Sequence, residues 1–326
     1  MLDKNTKIFV TGHKGLVGSA LVRILEKHNF SNILTIDKNR VDLRNQQQVK
    51  DYFAQVKPEI ILHAAGTVGG ILANNTYPAD FMYDNLMMAA NVIHEAYLSQ
   101  VEKLIFLGSS CIYPKNCPQP IKEEYLLTGI LEPTNQPYGL AKISGIELCH
   151  AYNRQYGTRF LPLMPTNLYG PNDNFNLETS HVLPALIRKT HEASVSQLAE
   201  MNLWGTGRVL REFLYVDDLA DACLFFLNLP ASQYSQLFEN SHHRPLFNIG
   251  TGKDISIKAL ADLVCKIIGF KGMLKWDVSK PDGMARKLLD VTKMSSLGWQ
   301  AKTKLADGIV MAYEHFKIQN TLGCIL

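Results

Sequence analysis

The chain has 326 residues, 46% of them hydrophobic and 19% charged, with a formal net charge of +3. This length holds one large or two modest domains, and the composition is that of an ordinary globule. So small a net charge, with no basic run interleaved with aromatics, argues against nucleic acid as a partner; no apolar run approaches the ~18 residues of a membrane span.

The start, Met1 to Val10, runs directly into an apolar strand and lacks a signal-peptide pattern, so a cytoplasmic protein is expected. Six cysteines, at 111, 117, 149, 223, 265 and 324, form neither a C-x-x-C pair nor a dense framework, which fits free thiols in a reducing compartment. Cys324 stands third from the end, where a prenylation box needs the fourth position.

Strand and helix alternate through the first half. Lys7–Thr11 reads as a short apolar strand, and 19–28 as a helix whose apolar face is Leu21, Val22, Ile24 and Leu25. Strands follow at 33–36, 59–65 and 103–108, with a helix over 85–98. A long helix spans 136–156, and 160–166 is a strand made irregular by Pro162 and Pro165. Near-continuous apolar strands between helices predict an α/β fold, a Rossmann-type doubly wound parallel sheet. After about residue 170 the rhythm weakens. Helices fit 181–193, 217–227 and 256–268, and strands fit 201–204 and 245–249. The expected division is a dinucleotide-binding domain over 1–170 and a smaller α+β substrate domain over 171–326, with some later elements returning to the first.

Gly12-His13-Lys14-Gly15-Leu16-Val17-Gly18 joins the first strand to the first helix. Glycines permit a tight turn and close approach to a pyrophosphate, and the helix N-terminus offers free N–H groups. A nicotinamide dinucleotide site is expected here. Asp37, ending the second strand, suits the ribose hydroxyl of NAD; Lys38 and Arg40 suit the 2′-phosphate of NADP. The balance leans to NADP.

Ser109, Cys111, Tyr138 and Lys142 form the second constellation. Tyr138 and Lys142, four apart, share one helix face, and an ammonium near a phenol favours the phenolate, so a lowered phenol is expected. Such a pair exchanges protons with a carbonyl/alcohol couple, and Ser109 would hydrogen-bond the same oxygen. Cys111 is surplus to that relay and points to a second reaction.

These features resemble the extended short-chain dehydrogenase/reductase family. The stretches Gly70–Asp80, Gly108–Pro114, Met164–Pro171, Arg211–Asp218 and Lys280–Gly283 narrow the resemblance to its GDP-L-fucose synthase branch, over nearly the whole chain. The resemblance implies reduction of GDP-4-keto-6-deoxy-D-mannose by NADPH after inversion of carbons 3 and 5. It makes Cys111 and His181 the epimerisation acid/base pair, and Ser109, Tyr138 and Lys142 the reduction set. It places cofactor contacts at Gly12 to Gly18, Leu107, Gly108, Ser109, Ser110, Pro165, Thr166, Asn167, Leu168 and His181. Substrate contacts fall on Lys189, Trp204, Arg211, Asp282 and Lys287, with the Arg211 guanidinium suited to the diphosphate and Trp204 to stacking. A homodimer through the helices near 85–98 and 138–156 is implied as well. Other readings are a reductase or epimerase acting on another sugar nucleotide, and a non-enzymatic dinucleotide sensor. No metal is expected: Cys111 and Cys117 are poorly spaced for zinc, Asp217 and Asp218 read as a helix cap, and His242-His243 as a polar loop.

Overall fold

Four consecutive buried residues, Ile8–Thr11, form β1. Burial on both faces is what a central parallel strand requires. The computed structural model describes residues 2–280 and 282–321, so Cys324 lies outside the described residues. Helix α1 (Leu16–Lys27) buries Ala20, Leu21 and Leu25; β2 is Ile33–Leu34. Helix α2 (Gln46–Val56) went unread in the sequence because a glutamine run leaves only Val49 and Phe53 to bury; Asn45 caps it by accepting from the Gln48 amide. Then come β3 (Ile60–His63), α3 (Ile71–Thr76), α4 (Pro78–Leu98), β4 (Lys103–Leu107), α5 (Gln136–Tyr156) and β5 (Phe160–Pro165).

Beyond β5 the elements are short: β6 (Asn167–Tyr169), α6 (Val182–Val195), β7 (Glu200–Trp204), β8 (Leu210–Tyr215), α7 (Val216–Asn228), α8 (Ala231–Glu239), β9 (Phe247–Ile249), β10 (Asp254–Ser256), α9 (Ile257–Ile268), β11 (Met273–Asp277), β12 (Arg286–Lys287), α10 (Thr292–Ser296) and α11 (Leu305–Thr321). The large sheet runs β2-β1-β3-β4-β5-β9 with every neighbour parallel. Strand β9 therefore returns to the first sheet. Strand order reverses between β1 and β3, which opens a crevice at their carboxyl ends, where this architecture takes its ligands. The second sheet runs β10-β8-β12, with β6 also on β8, and β11 pairs β7.

Two glycines fix the turn into α1. Gly12 has φ +67°, and a Cβ there would lie 2.8 Å from the Ala65 Cα; at Gly18 it would lie 2.1 Å from the Gly12 carbonyl oxygen. Only glycine lets β1, the β3 exit and α1 approach so closely.

Asp217 and Asp218 open α7, yet neither caps it. Asp217 pairs with Arg23 of α1, and Asp218 accepts from the Lys302 and Thr303 amides. Tertiary partners outbid the local cap expected from sequence.

Fully buried Glu212 of β8 joins the sheets: its carboxylate accepts from the Thr251, Gly252 and Leu289 amides at 2.6, 2.7 and 2.9 Å. Glu212→Ala strands these donors and is expected to cost about 3–6 kcal/mol, read by urea unfolding; a loss below about 1 kcal/mol would show that water replaces the carboxylate.

Candidate active site

The crevice wall at β1 and β3 is locked by Thr11. Its Oγ1 accepts from the Ala64 and Ala65 amides at 3.0 and 2.9 Å, so its proton goes to His63 Nδ1 at 3.1 Å. His63 is then the Nε2–H tautomer. Burial first, and the Lys142 charge second, push it down to about 3, so it stays neutral. Above it, Gly15 begins α1 without a side-chain cap, leaving main-chain N–H groups for an anion. Lys14 contacts Asp37 at 2.6 Å and His13 lies 3.6 Å from the same oxygen. That hydrogen bond from Lys14 is the main reason the Asp37 carboxyl falls below its ordinary value. Lys38 and Arg40 are exposed beside it. Leu16 and Val17 are half-buried against the core under the turn.

The end of β4 and the start of α5 bring the second constellation together. Ser109 Oγ accepts from the Cys111 amide at 3.2 Å, capping the short helical turn Ser110–Ile112 that carries the thiol. Ser110 is buried in that turn, while Gly108 abuts Met164 of β5. Gly139 lets α5 press against this turn: a Cβ there would lie 3.1 Å from the Cys111 carbonyl. Tyr138 is buried edge-on to Phe81, with the Ser109 hydroxyl near its phenol.

The phenol is not lowered, contrary to the sequence-based expectation. Burial, and secondarily the Cys111 charge, push it well above its ordinary value, with Ser109 opposing. The Lys142 ammonium donates instead to the Leu107 carbonyl at 3.0 Å and lies 5.8 Å from the Tyr138 ring centre. A helix spacing of four sets the shared face but not the lysine's hydrogen-bond partner. A phenol held protonated is still suited to donating a proton to a developing alkoxide.

Burial pushes Lys142 down to about 8. Its ammonium is present below that value and lost above it. If Lys142 holds the cofactor, kcat/KM for the nicotinamide substrate should fall as pH rises through about 8. Lys142→Arg, which keeps its charge, should carry the plateau to higher pH. An unchanged profile would exclude Lys142 as its source.

His181 is the N-cap residue of α6, open to the cleft yet hemmed by its walls. Those walls first, and the Lys287 charge second, hold its imidazole below the ordinary value. The preceding Thr179 carbonyl accepts from the Gly70 amide at 2.9 Å, so the loop before α3 braces this terminus. Lys287 donates to Cys111 Sγ at 3.3 Å and sits opposite Arg211 in the β12–β8 ladder. Thus Cys111, His181, Arg211 and Lys287 converge, although they are scattered in sequence.

The other sequence-selected positions lie on neighbouring elements, with Asp282 close enough to act on the Arg211 charge. Trp204 is 57% exposed on β7, with Lys189 and Lys280 Nζ at 5.7 and 5.4 Å from its ring centre. Asp282 accepts from the Thr206 amide and hydroxyl, both at 2.7 Å, and so braces the Gly205–Gly207 turn. Pro165 ends buried β5; Thr166 Oγ1 and Asn167 Nδ2 both donate to the Glu212 carbonyl, and Leu168 packs on the core. Sequence reading missed Lys280 at Trp204, whose signal was the Lys280–Gly283 motif. It also missed Asn85, which is buried and donates to the Phe81 and Thr67 carbonyls. No helix among the described residues is long and apolar enough to cross a membrane, and no group of three or more His, Cys, Asp or Glu there is placed to hold a metal.

A family model described as the NAD dependent epimerase/dehydratase family matches residues 8–250. GDP-L-fucose synthase 1 of Arabidopsis thaliana is 54% identical, over 97% of this chain and 94% of that protein. GDP-L-fucose synthase of Escherichia coli is 47% identical, over 95% and 96%. A GDP-mannoheptose C4 reductase from Campylobacter jejuni, solved with NADP bound, superposes with TM-score 0.85 at 40% identity, over 97% of this chain and all of its own.

Proposed function

We propose that this chain, which belongs to the NAD dependent epimerase/dehydratase family, converts GDP-4-keto-6-deoxy-D-mannose to GDP-L-fucose by inverting carbons 3 and 5 and reducing the ketone at carbon 4. The observation that carries this reading is a thiol, Cys111, held by Lys287, whose charge also acts on the His181 imidazole, beside the Ser109–Tyr138–Lys142 set. A simple reductase has no use for the first pair.

The ketone acidifies the protons on carbons 3 and 5. Cys111 takes such a proton as thiolate, and His181 returns one to the opposite face of the carbon. Tyr138 and Ser109 hold the carbon 4 oxygen while it carries negative charge. NADPH, when bound, supplies the hydride for the last step. Tyr138 then gives its proton to the carbon 4 oxygen, and Lys142 orients the nicotinamide ribose. Residues fit that cofactor: Gly12 and Gly18 let β1, the β3 exit and α1 close into a tight turn that side chains would block, and α1 has an uncapped N-terminus. Asp37 is already engaged by Lys14, while Lys38 and Arg40 stand exposed, which favours NADPH over NADH. Gly15 closes the turn, and the main chain of 107–110 and 165–168 lines the same sheet edge. Arg211 and Lys189, with Trp204 and Lys287, supply cations and a flat face for the GDP moiety; Asp282 shapes that wall.

The catalytic division places nicotinamide binding in 1–170, with β9 returned to it, and sugar-nucleotide binding in 171–326. Helices α4 and α5 pack together and expose Met82, Tyr83, Leu98, Leu140 and Tyr156. Such an apolar face suits a homodimer in the cytoplasm, and light scattering should return twice the chain mass.

The deciding assay supplies GDP-4-keto-6-deoxy-D-mannose with NADPH or NADH. The expected product is GDP-L-fucose, with one NADPH consumed per sugar and a lower KM for NADPH. Reduction without inversion would identify a C4 reductase instead. A strong NADH preference would reverse the cofactor assignment.

A further inference from the structure

We propose that Lys287 is the positioning residue for Cys111, its ammonium holding the sulfur in place as an anion for carbon-acid chemistry. This inference rests on the reading of Cys111 as the epimerisation base. It gives Lys287 a role beyond contact with the nucleotide diphosphate.

Geometry carries it. Lys287 Nζ donates to Cys111 Sγ at 3.3 Å, and Lys287 is only 8% exposed. An ammonium so far from water needs an anionic or strongly polar partner. Among the described residues, no carboxylate forms an ion pair with it; the sulfur is its hydrogen-bond acceptor. The lysine issues from β12, where main-chain pairing sets it opposite Arg211 of β8. Its placement is therefore fixed by strand register rather than by a mobile tail. Cys111 is equally fixed, by the Ser109-capped turn and the close approach of α5 at Gly139.

The step balances without proton transfer to or from Lys287. The thiolate forms an S–H bond as the carbon's C–H bond breaks, and the electron pair moves to the carbon 4 oxygen. His181, protonated from solvent, then supplies a proton to the opposite face of the carbon as the electron pair returns from the oxygen, and the Cys111 proton leaves to solvent. Lys287 retains its charge throughout and loses its anionic neighbour only while the thiol is neutral.

The test is alkylation of the substrate-free protein by iodoacetamide at pH 7, with Cys111 followed by mass spectrometry. Half-buried Cys265, whose thiol burial pushes up, serves as internal reference. In the wild-type protein Cys111 should react faster than Cys265. Lys287→Gln should slow Cys111 about tenfold relative to Cys265, and Lys287→Arg should restore most of that loss. An unchanged Cys111 rate in Lys287→Gln, with a raised KM for the GDP-sugar, would overturn the proposal and leave Lys287 a diphosphate ligand. If Lys287→Gln does not fold, a wild-type Cys111 no faster than Cys265 overturns it equally. Failure of the underlying reading looks different: Cys111→Ser would then exchange substrate protons as fast as wild type, whatever the alkylation shows.

Discussion

Cys111→Ser is expected to slow deuterium uptake from heavy water into carbons 3 and 5 of the keto sugar by about 10²–10⁴-fold. Reduction of a ketone already inverted at both carbons should continue. The separation follows from the placement of the groups. Cys111 meets Lys287, while the residues proposed for reduction gather around Tyr138, with Ser109 near its phenol, and Lys142, which is anchored on the Leu107 carbonyl. Serine is nearly isosteric with cysteine, and the turn that carries it is held by the Ser109 hydroxyl and the main chain, so folding should survive. A hydroxyl is much the weaker acid, however, and Lys287 would face a group that does not ionise near neutral pH. His181→Asn should give the same separation. Exchange that persists at the wild-type rate when both residues are replaced would remove the epimerase half of the proposed function.

Tyr138→Phe should have the opposite signature. Loss of the phenol proton is expected to lower the reduction rate about 10²–10⁴-fold, measured by NADPH oxidation under single-turnover conditions. Proton exchange at carbons 3 and 5 should fall less, because Ser109 still reaches the enolate oxygen. The ring stays packed edge-on against Phe81, with centroids 6.3 Å apart, so the substitution leaves no cavity. Cofactor affinity should hold, since Lys142 keeps its bond to the Leu107 carbonyl. Equal losses in both half-reactions would mean that Tyr138 acts mainly as an oxyanion donor and that another group protonates carbon 4.

The long elements and the cofactor turn were legible because their signals are local. The spacing 136–156 matches α5 residue for residue, ended by Gly157 in the left-handed conformation. Gly12 and Gly18 are required by contacts within the first strand–turn–helix unit and the adjacent β3 exit. Short strands after residue 200 were harder. Strand β8 holds Arg211 and buried Glu212 within an otherwise apolar run, so its polar residues obscured it. Strand β12 has two residues and no period to read. Helix α2 was hidden by its glutamines, and the pair Asp217-Asp218 looked like a cap because Arg23 and Thr303 are remote in sequence.

By itself, the sequence determined the parallel sheet, the glycine turn between β1 and α1 and the shared helix face of Tyr138 and Lys142, since alternating apolar runs, glycine positions and helix spacing act over a few residues. Folding decided the electrostatics. The phenol of Tyr138 rose because its whole neighbourhood is buried, and Lys142 spent its hydrogen bond on a main-chain carbonyl instead. Folding also decided that Lys287 reaches Cys111 across 176 residues of chain. That contact depends on the register of β12 against β8 and on the docking of one sheet beside the other, and no local pattern encodes either.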